Sequence, residues 1–269
     1  MKRALTYVSL LDLVFIAILS FSGFIDGILG ELIYYLAFLL PIAMAFFLKR
    51  CTGAGFRPIK LKISRENLLL TLPTAAPTLA AVFLVSWLTS LLLSFIGEGS
   101  AADVSGNIIR VILTDALLTA ALEEALFRYI PLAFIIPHTK RGAVIFSAVF
   151  FALAHCNLYQ IPYAFFAGVI FSVLDIAFDS IIPSFLLHFL NNLISIFWLR
   201  GSGNAGFAIV YTAVLFGAAL LSIPPIIIFK KRYKDKVSEI FLDKRHIELS
   251  YAPILFFAMT LLIAVTEVL

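Results

Sequence analysis

The 269-residue chain is short of charge and of cysteine, and it holds no polar stretch long enough to fold as a separate soluble unit. Only 13% of its residues are charged and 62% are hydrophobic, with mean hydropathy +1.06, whereas soluble domains carry about 25% and about 45 to 50%. This balance excludes an ordinary water-soluble domain and leaves one integral membrane domain, 1–269. Two cysteines, Cys51 in a basic loop and Cys156 beside a histidine in an apolar run, exclude a disulfide framework. No A-x-A site follows the apolar run 5–24, so Met1-Lys2-Arg3 and that run read as an uncleaved first span. There is no G-x-S-x-G, which removes the serine elbow, no H-E-x-x-H zinc motif, and no repeat of fixed period or symmetry between halves. The formal charge of +4 is small, and no nucleic-acid partner is expected.

What is present is a series of apolar runs: 5–24, 32–48, 68–96, 108–136, 143–155, 162–178, a run ending at 198, 207–229 and 251–269. They predict an all-α bundle of about eight to nine transmembrane helices around a polar intramembrane cavity. Gly23-xxx-Gly27 offers a close-packing face, and Asp12, within the first run, is expected to face the bundle. Asp179-Ser180 with Pro183 reads as a helix start. Starting inside and alternating, the inner segments hold 17 of the 20 Lys and Arg residues. That bias places a multi-pass chain in the cell membrane with its N-terminus cytoplasmic and its C-terminus external. Residues 230–249 alternate basic and apolar, fitting either an amphipathic helix on anionic headgroups or a solvated loop.

Against this background the stretch 121–130, A-L-E-E-A-L-F-R-Y-I, stands out. Each charge facing lipid near the bilayer centre costs ~2.5 to 3.5 kcal/mol, so three would oppose insertion by roughly 8 to 10 kcal/mol. They must face protein or water. Glu124 and Arg128 share a helix face at the favourable i,i+4 spacing and can pair. Glu123, turned by about 100°, is left available. Pro131 frees the carbonyl of Phe127 and kinks or ends the helix near these charges.

Three further polar groups lie in spans. Phe151-x-x-x-His155 ends one run, and His188-x-x-x-Asn192 lies early in another, with Asn191 and Ser195 near the same stripe. Asp175 and Asp179 read as helix caps or as the lining of a wet crevice. A carboxylate and a neutral imidazole can share a water and take its proton as it attacks a carbonyl. A second imidazole and a carboxamide can hydrogen-bond the oxygen that becomes negative. Amide hydrolysis then needs no serine or cysteine nucleophile. Glu123, His155 and His188 are also a possible zinc-ligand set, and that reading stands beside the metal-free one. A proton-coupled transporter is a further alternative, since intramembrane Glu, His and Asp relay protons.

At these residues the sequence resembles the CAAX prenyl endopeptidase and bacteriocin-processing family of glutamate intramembrane peptidases. The family's EExxxR corresponds to Glu123 to Arg128, its FxxxH to Phe151 to His155 and its last motif to His188 to Asn192. The resemblance implies a membrane-embedded peptidase whose catalytic core is 108–200, with a cavity open to the cytoplasm and no cofactor. By similarity Glu123 and His155 activate the water, His188 and Asn192 form the oxyanion site, and Glu124 with Arg128 supports the first glutamate. The implied partners are the lipid bilayer and a peptide or protein substrate, lipidated or not, cut near the cytoplasmic membrane face. Prenyl-processing members remove the last three residues after a lipidated cysteine, and other members act on, or protect against, different peptides. A bacteriocin-immunity or partner-binding protein without turnover is therefore the alternative on the same scaffold. The short segment between His155 and His188 leaves no room for a large substrate-gating insertion.

Overall fold

A computed structural model describes residues 1–22, 24–52, 55–95, 104, 106–243, 245 and 251–266. Among the described residues the chain is all helix, without a strand. In order the helices are α1 (Lys2–Ser22), α2 (Gly27–Thr52), α3 (Arg65–Leu93), α4 (108–135), α5 (Lys140–Ala154), α6 (Ile161–Phe178), α7 (Ile182–Gly201), α8 (Ala205–Leu221), α9 (Ile223–Leu242) and α10 (Tyr251–Thr266). Their boundaries follow local chemistry. Ser64, Asn107, Thr139 and Asn204 cap helix starts with side-chain oxygens. Prolines occupy the first turn of α6, α7 and α9, where a missing amide hydrogen does least harm.

Among the described residues five helices are long and apolar enough to cross a membrane, or six if α8 and α9 form one bent span. This is below the expected eight to nine, and α4, continuous from 108 to 135 through its π-helical turns, is a further apolar helix outside that number. Its π-helical segments are Ile112–Leu118 and Ala125–Tyr129. α5 has 15 residues and ends where Cys156 takes φ +48°. The chain also bends by 43° at the break between Leu221 and Ile223, not at the inner end of a span 207–229. Pro224 and Pro225 therefore open α9 instead of ending α8. α9 carries the basic stretch in one helix as far as Leu242, so that part is helix and not loop; 244 and 246–250 lie outside the described residues.

Among the described residues the interior has two large apolar clusters and a small third one, Val111, Ala116 and Ile196, between α4 and α7. Of the large ones, one joins α1, α2, α4, α5 and α10 through Phe15, Phe38, Phe127, Phe134, Phe150 and Phe256. The other joins α3, α6, α7 and α9 through Leu79, Phe171, Leu174, Leu187 and Tyr233. Large apolar side chains such as Leu32, Phe47 and Leu92 point outward and are more than half exposed, as suits a surface solvated by lipid tails. α5 and α6 cross closely at Gly168, where a Cβ would stand 2.9 Å from the Ala148 Cα. Gly27 does not play that part: its φ is +73° and nothing lies within 4 Å of an added Cβ, while Gly23 lies outside the described residues. Asp12 is fully buried, with both carboxylate oxygens lacking a hydrogen-bond partner among the described residues.

The basic segments gather at one end and are tied together there. Arg57 donates its backbone amide to Ala133, Ile181 donates to Lys60, and the Lys60 ammonium meets Asp179 at 2.9 Å. Asp179 closes α6 in the left-handed conformation, φ +53°, so it ends one helix; Ser180 accepts from the Ile182 amide at the start of the next. α9 is strapped across this end by Lys236 to the Ala177 carbonyl, by Arg232 to Glu66, and by Lys140 to Glu239. Just beyond α9, Asp243 accepts the Lys140 amide at 2.7 Å and is gripped by Arg245. The hydrogen bond from the Arg245 guanidinium holds the Asp243 carboxyl below the usual carboxylate range. A depressed folded-state pKa contributes stability above the unfolded value of about 4 and loses it as the pH falls further. Amide exchange at Lys140, corrected for intrinsic rate, is therefore expected to rise between about pH 5 and about pH 3, and Asp243→Leu to show the raised exchange already at neutral pH.

Candidate active site

The two π segments of α4 lie on either side of Glu123 and Glu124. Such widened turns are frequent at functional sites because they change which face the following residues present. The i−5 bond from the Thr119 backbone amide to the Thr114 carbonyl marks the first of them, and the Thr119 hydroxyl donates to the same carbonyl at 3.0 Å. Pro131 accounts for part of the second, since its missing amide leaves the Phe127 carbonyl without its helical donor. That carbonyl is taken by the Ser147 hydroxyl of α5 at 2.7 Å.

Arg128 is buried completely at the seam between the two apolar clusters. Its guanidinium lies 4.9 Å from the centre of the Phe151 ring in one cluster and 5.8 Å from Phe171 in the other. Nε meets Glu124 Oε2 at 3.3 Å, and Nη1 donates to Ser147 Oγ, Ser172 Oγ and the Gly168 carbonyl at 3.0, 3.2 and 3.3 Å. The expected i,i+4 pair is present, and it is part of a wider clamp across three helices. The small residues Ser147, Ser172 and Gly168 give little sequence signal. Their one sign was position: Ser147 precedes Phe151 by one turn, and Gly168 and Ser172 share a stripe.

Glu124 has a second partner. Its Oε1 lies 2.8 Å from His188 Nδ1, while His188 Nε2 faces Glu123 Oε2 at 3.3 Å. Glu123 and Glu124 do diverge around the helix, yet both return to the same imidazole, one at each ring nitrogen. The side chains of Glu124 and His188 are only 3% and 5% exposed and that of Glu123 is 17% exposed, so Glu123 is the most exposed of the three.

His155 ends α5, its ring edge-on to Phe151 at 4.9 Å. Nδ1 lies 2.8 Å from the Phe151 carbonyl. A carbonyl only accepts, which assigns the proton to Nδ1 and leaves Nε2 with a lone pair. No hydrogen bond or ion pair joins His155 to Glu123 among the described residues. The Asn192 side-chain amide, one turn beyond His188, donates to the Asp115 carbonyl in the first π segment at 3.3 Å. Asp175 caps α7 by accepting the Ser184 amide at 3.1 Å. Among the described residues no three His, Cys, Asp or Glu side chains are arranged to hold a metal ion. Glu123, His155 and His188 therefore do not fit a zinc centre as they stand.

A cleft of about 290 Å³ adjoins this group, lined by Glu31, Tyr34, Tyr35, Arg110, Asp115 and Thr119 among others. Thr119 and Asp115 precede Glu123 on the same helix, α4. It opens at the end of the bundle opposite the basic loops, and none of Glu123, His155, His188 and Asn192 lines it. A second cleft, about 210 Å³, lies at the basic end between Arg57, Ile136, Lys140, Asp179, Lys236 and Glu239.

Residues 105–194, a third of the chain, match the family model described as Type II CAAX prenyl endopeptidase Rce1-like. The match takes in all three motifs, from Glu123 through Asn192. No curated protein and no solved structure matches the chain.

Proposed function

For a multi-pass membrane protein whose residues 105–194 match the Type II CAAX prenyl endopeptidase Rce1-like family, a membrane peptidase in its general activity, we propose a hydrolytic mechanism centred on Glu123. Glu123 is the base that takes the proton of a water as the water attacks a peptide carbonyl, at the depth of Glu123 within the membrane. The observation that carries this reading is the unequal grip on His188. Glu124 holds Nδ1 at 2.8 Å while Glu123 meets Nε2 only at 3.3 Å. One carboxylate thus orients the imidazole, and the other is loosely held and partly exposed, free to turn to a water.

When Glu123 turns away, the Nε2 hydrogen of His188 and the Asn192 amide become the donors for the oxyanion. His155 presents the Nε2 lone pair to the same water or relays the proton to the leaving amine. Glu124 and Arg128 keep the group in place. The bias of Lys and Arg supports placing the basic end in the cytoplasm. Substrates are peptides that reach this depth, and a lipidated C-terminal segment would be brought there by its own partitioning into the bilayer.

The test uses the full chain in liposomes with two fluorogenic peptides, one bearing a prenylated cysteine three residues from its C-terminus and one without lipid. Wild-type protein is expected to cleave, with no loss on chelation, and His155→Ala to lower the rate by about 100-fold in folded protein. Undiminished cleavage by that variant, or activity lost with a chelator and restored by zinc, would sink the mechanism.

A further inference from the structure

The polar network at the site runs one residue further than the motifs do. α7 carries both His188 and Asn192, but its first residues have only a local cap at Ser180; Ile181, at the cap position, offers no side-chain oxygen. The Ser184 amide is held instead from the neighbouring helix, by Asp175 Oδ1 at 3.1 Å. Asp175 is wholly buried, and its Oδ2 has no hydrogen-bond partner among the described residues. Ser184 stands one turn before His188, on the same face. Its hydroxyl donates to the Ile181 carbonyl at 3.0 Å and lies beside the carboxylates of both Asp175 and Glu124.

These contacts close a ring through three helices. Arg128 of α4 grips α6 at Gly168 and Ser172, and α6 grips α7 through Asp175 at Ser184. α7 returns to α4 where His188 meets Glu124 and Glu123. Each link fixes a different degree of freedom. Arg128 sets the approach of α6 to α4, while Asp175 sets the rotation and axial position of the first turn of α7. An imidazole that must meet two carboxylates at 2.8 and 3.3 Å has little tolerance for movement of its helix.

We propose that Asp175 is a positioning residue for the reaction: through the Ser184 amide it holds α7 where His188 stands between Glu123 and Glu124. The cap does not touch a substrate and acts only through His188. A neutral acceptor of the same shape satisfies it, and an apolar side chain of similar size does not.

The experiment compares wild type, Asp175→Asn and Asp175→Leu as full-length protein in detergent and in liposomes. One measurement is independent of turnover: carbethoxylation of His188 by diethyl pyrocarbonate, followed by peptide mass spectrometry with His155 as internal reference. Asp175→Leu is expected to raise the His188 rate about tenfold and leave His155 unchanged, because the protecting contacts open locally; Asp175→Asn is expected to resemble wild type. The kinetic arm rests on the peptidase reading. With the prenylated peptide, Asp175→Leu lowers kcat by about 100-fold with KM little changed, and Asp175→Asn restores kcat to within about fivefold of wild type. Unchanged His188 protection in Asp175→Leu, or equal behaviour of the two variants, overturns the proposal. If Asp175→Leu does not fold, Asp175→Ala takes its place, and failure of both shows a purely structural carboxylate and overturns it as well. Should the wild type cleave neither peptide while the His188 rates move as stated, the positioning role stands and the peptidase reading falls.

Discussion

Glu123→Gln is expected to lower peptide cleavage by about 1,000-fold or more in protein that remains folded. The amide is the same size and keeps an acceptor and a donor for His188 Nε2, so the 3.3 Å contact can persist in altered form. Glu124, Arg128 and the three acceptors on α5 and α6 are untouched. What disappears is the ability to take a proton, a loss of about 4 kcal/mol in transition-state stabilisation for each thousandfold. The signature is a fall in kcat with KM within about threefold, since the carboxylate does its work in the transition state. Glu124→Gln should behave differently. It leaves a buried guanidinium with a neutral partner and loosens His188 at Nδ1, so melting temperature and rate fall together. A protein that only binds a partner would retain function with Glu123→Gln, and retained cleavage by folded Glu123→Gln would remove Glu123 from the base role.

How much of this could be read from the chain depends on which residues are costly where they stand. Glu123, Glu124, Arg128 and His188 were visible because ionisable groups in apolar runs are costly unless they meet partners; His155 was visible on the same ground, although it turns to the Phe151 carbonyl and not to this group. The freed carbonyl of Phe127 was visible from Pro131 alone, although the donor that takes it, Ser147, was not. Serines and glycines are common in membrane helices, and only the arrangement of three helices shows that Ser147, Ser172 and Gly168 serve Arg128. Spacing along one helix also could not decide partners across helices. It predicts that Glu123 and Glu124 point apart, which is so, but not that one imidazole spans the gap. The π segments left no mark in composition, since Ile112–Leu118 reads as ordinary helix. The bend before α9 was a matter of rule choice: Pro224-Pro225 can end one helix or begin the next, and the first-turn preference for proline decides for the second.

The largest effect on the fold is expected at Arg128. Arg128→Leu removes a cation that is wholly buried and hydrogen-bonded to a carboxylate, two hydroxyls and a carbonyl. Glu124 then remains in the interior with His188 as its one strong partner, and Ser147, Ser172 and the Gly168 carbonyl lose a donor together. Breaking a buried pair from one side costs about 3 to 5 kcal/mol, a large share of the roughly 5 to 15 kcal/mol that holds a typical protein folded. The expected result is a chain that fails to give a monodisperse peak in detergent, or melts far below wild type. Arg128→Lys should not rescue it. A single ammonium cannot reach Glu124 through one nitrogen and α5 and α6 through another, nor lie flat between Phe151 and Phe171. Arg128→Leu combined with Glu124→Leu should recover most of the lost stability, because neither charge is then left buried alone. That double variant is expected to be folded and inactive, with His188 no longer held at Nδ1. The sequence of melting temperatures, single leucine lowest and double variant nearer wild type, separates a clamp whose worth lies in position from one that merely adds stability. A single Arg128→Leu variant melting within a few degrees of wild type would show that α4, α5 and α6 hold their places without it.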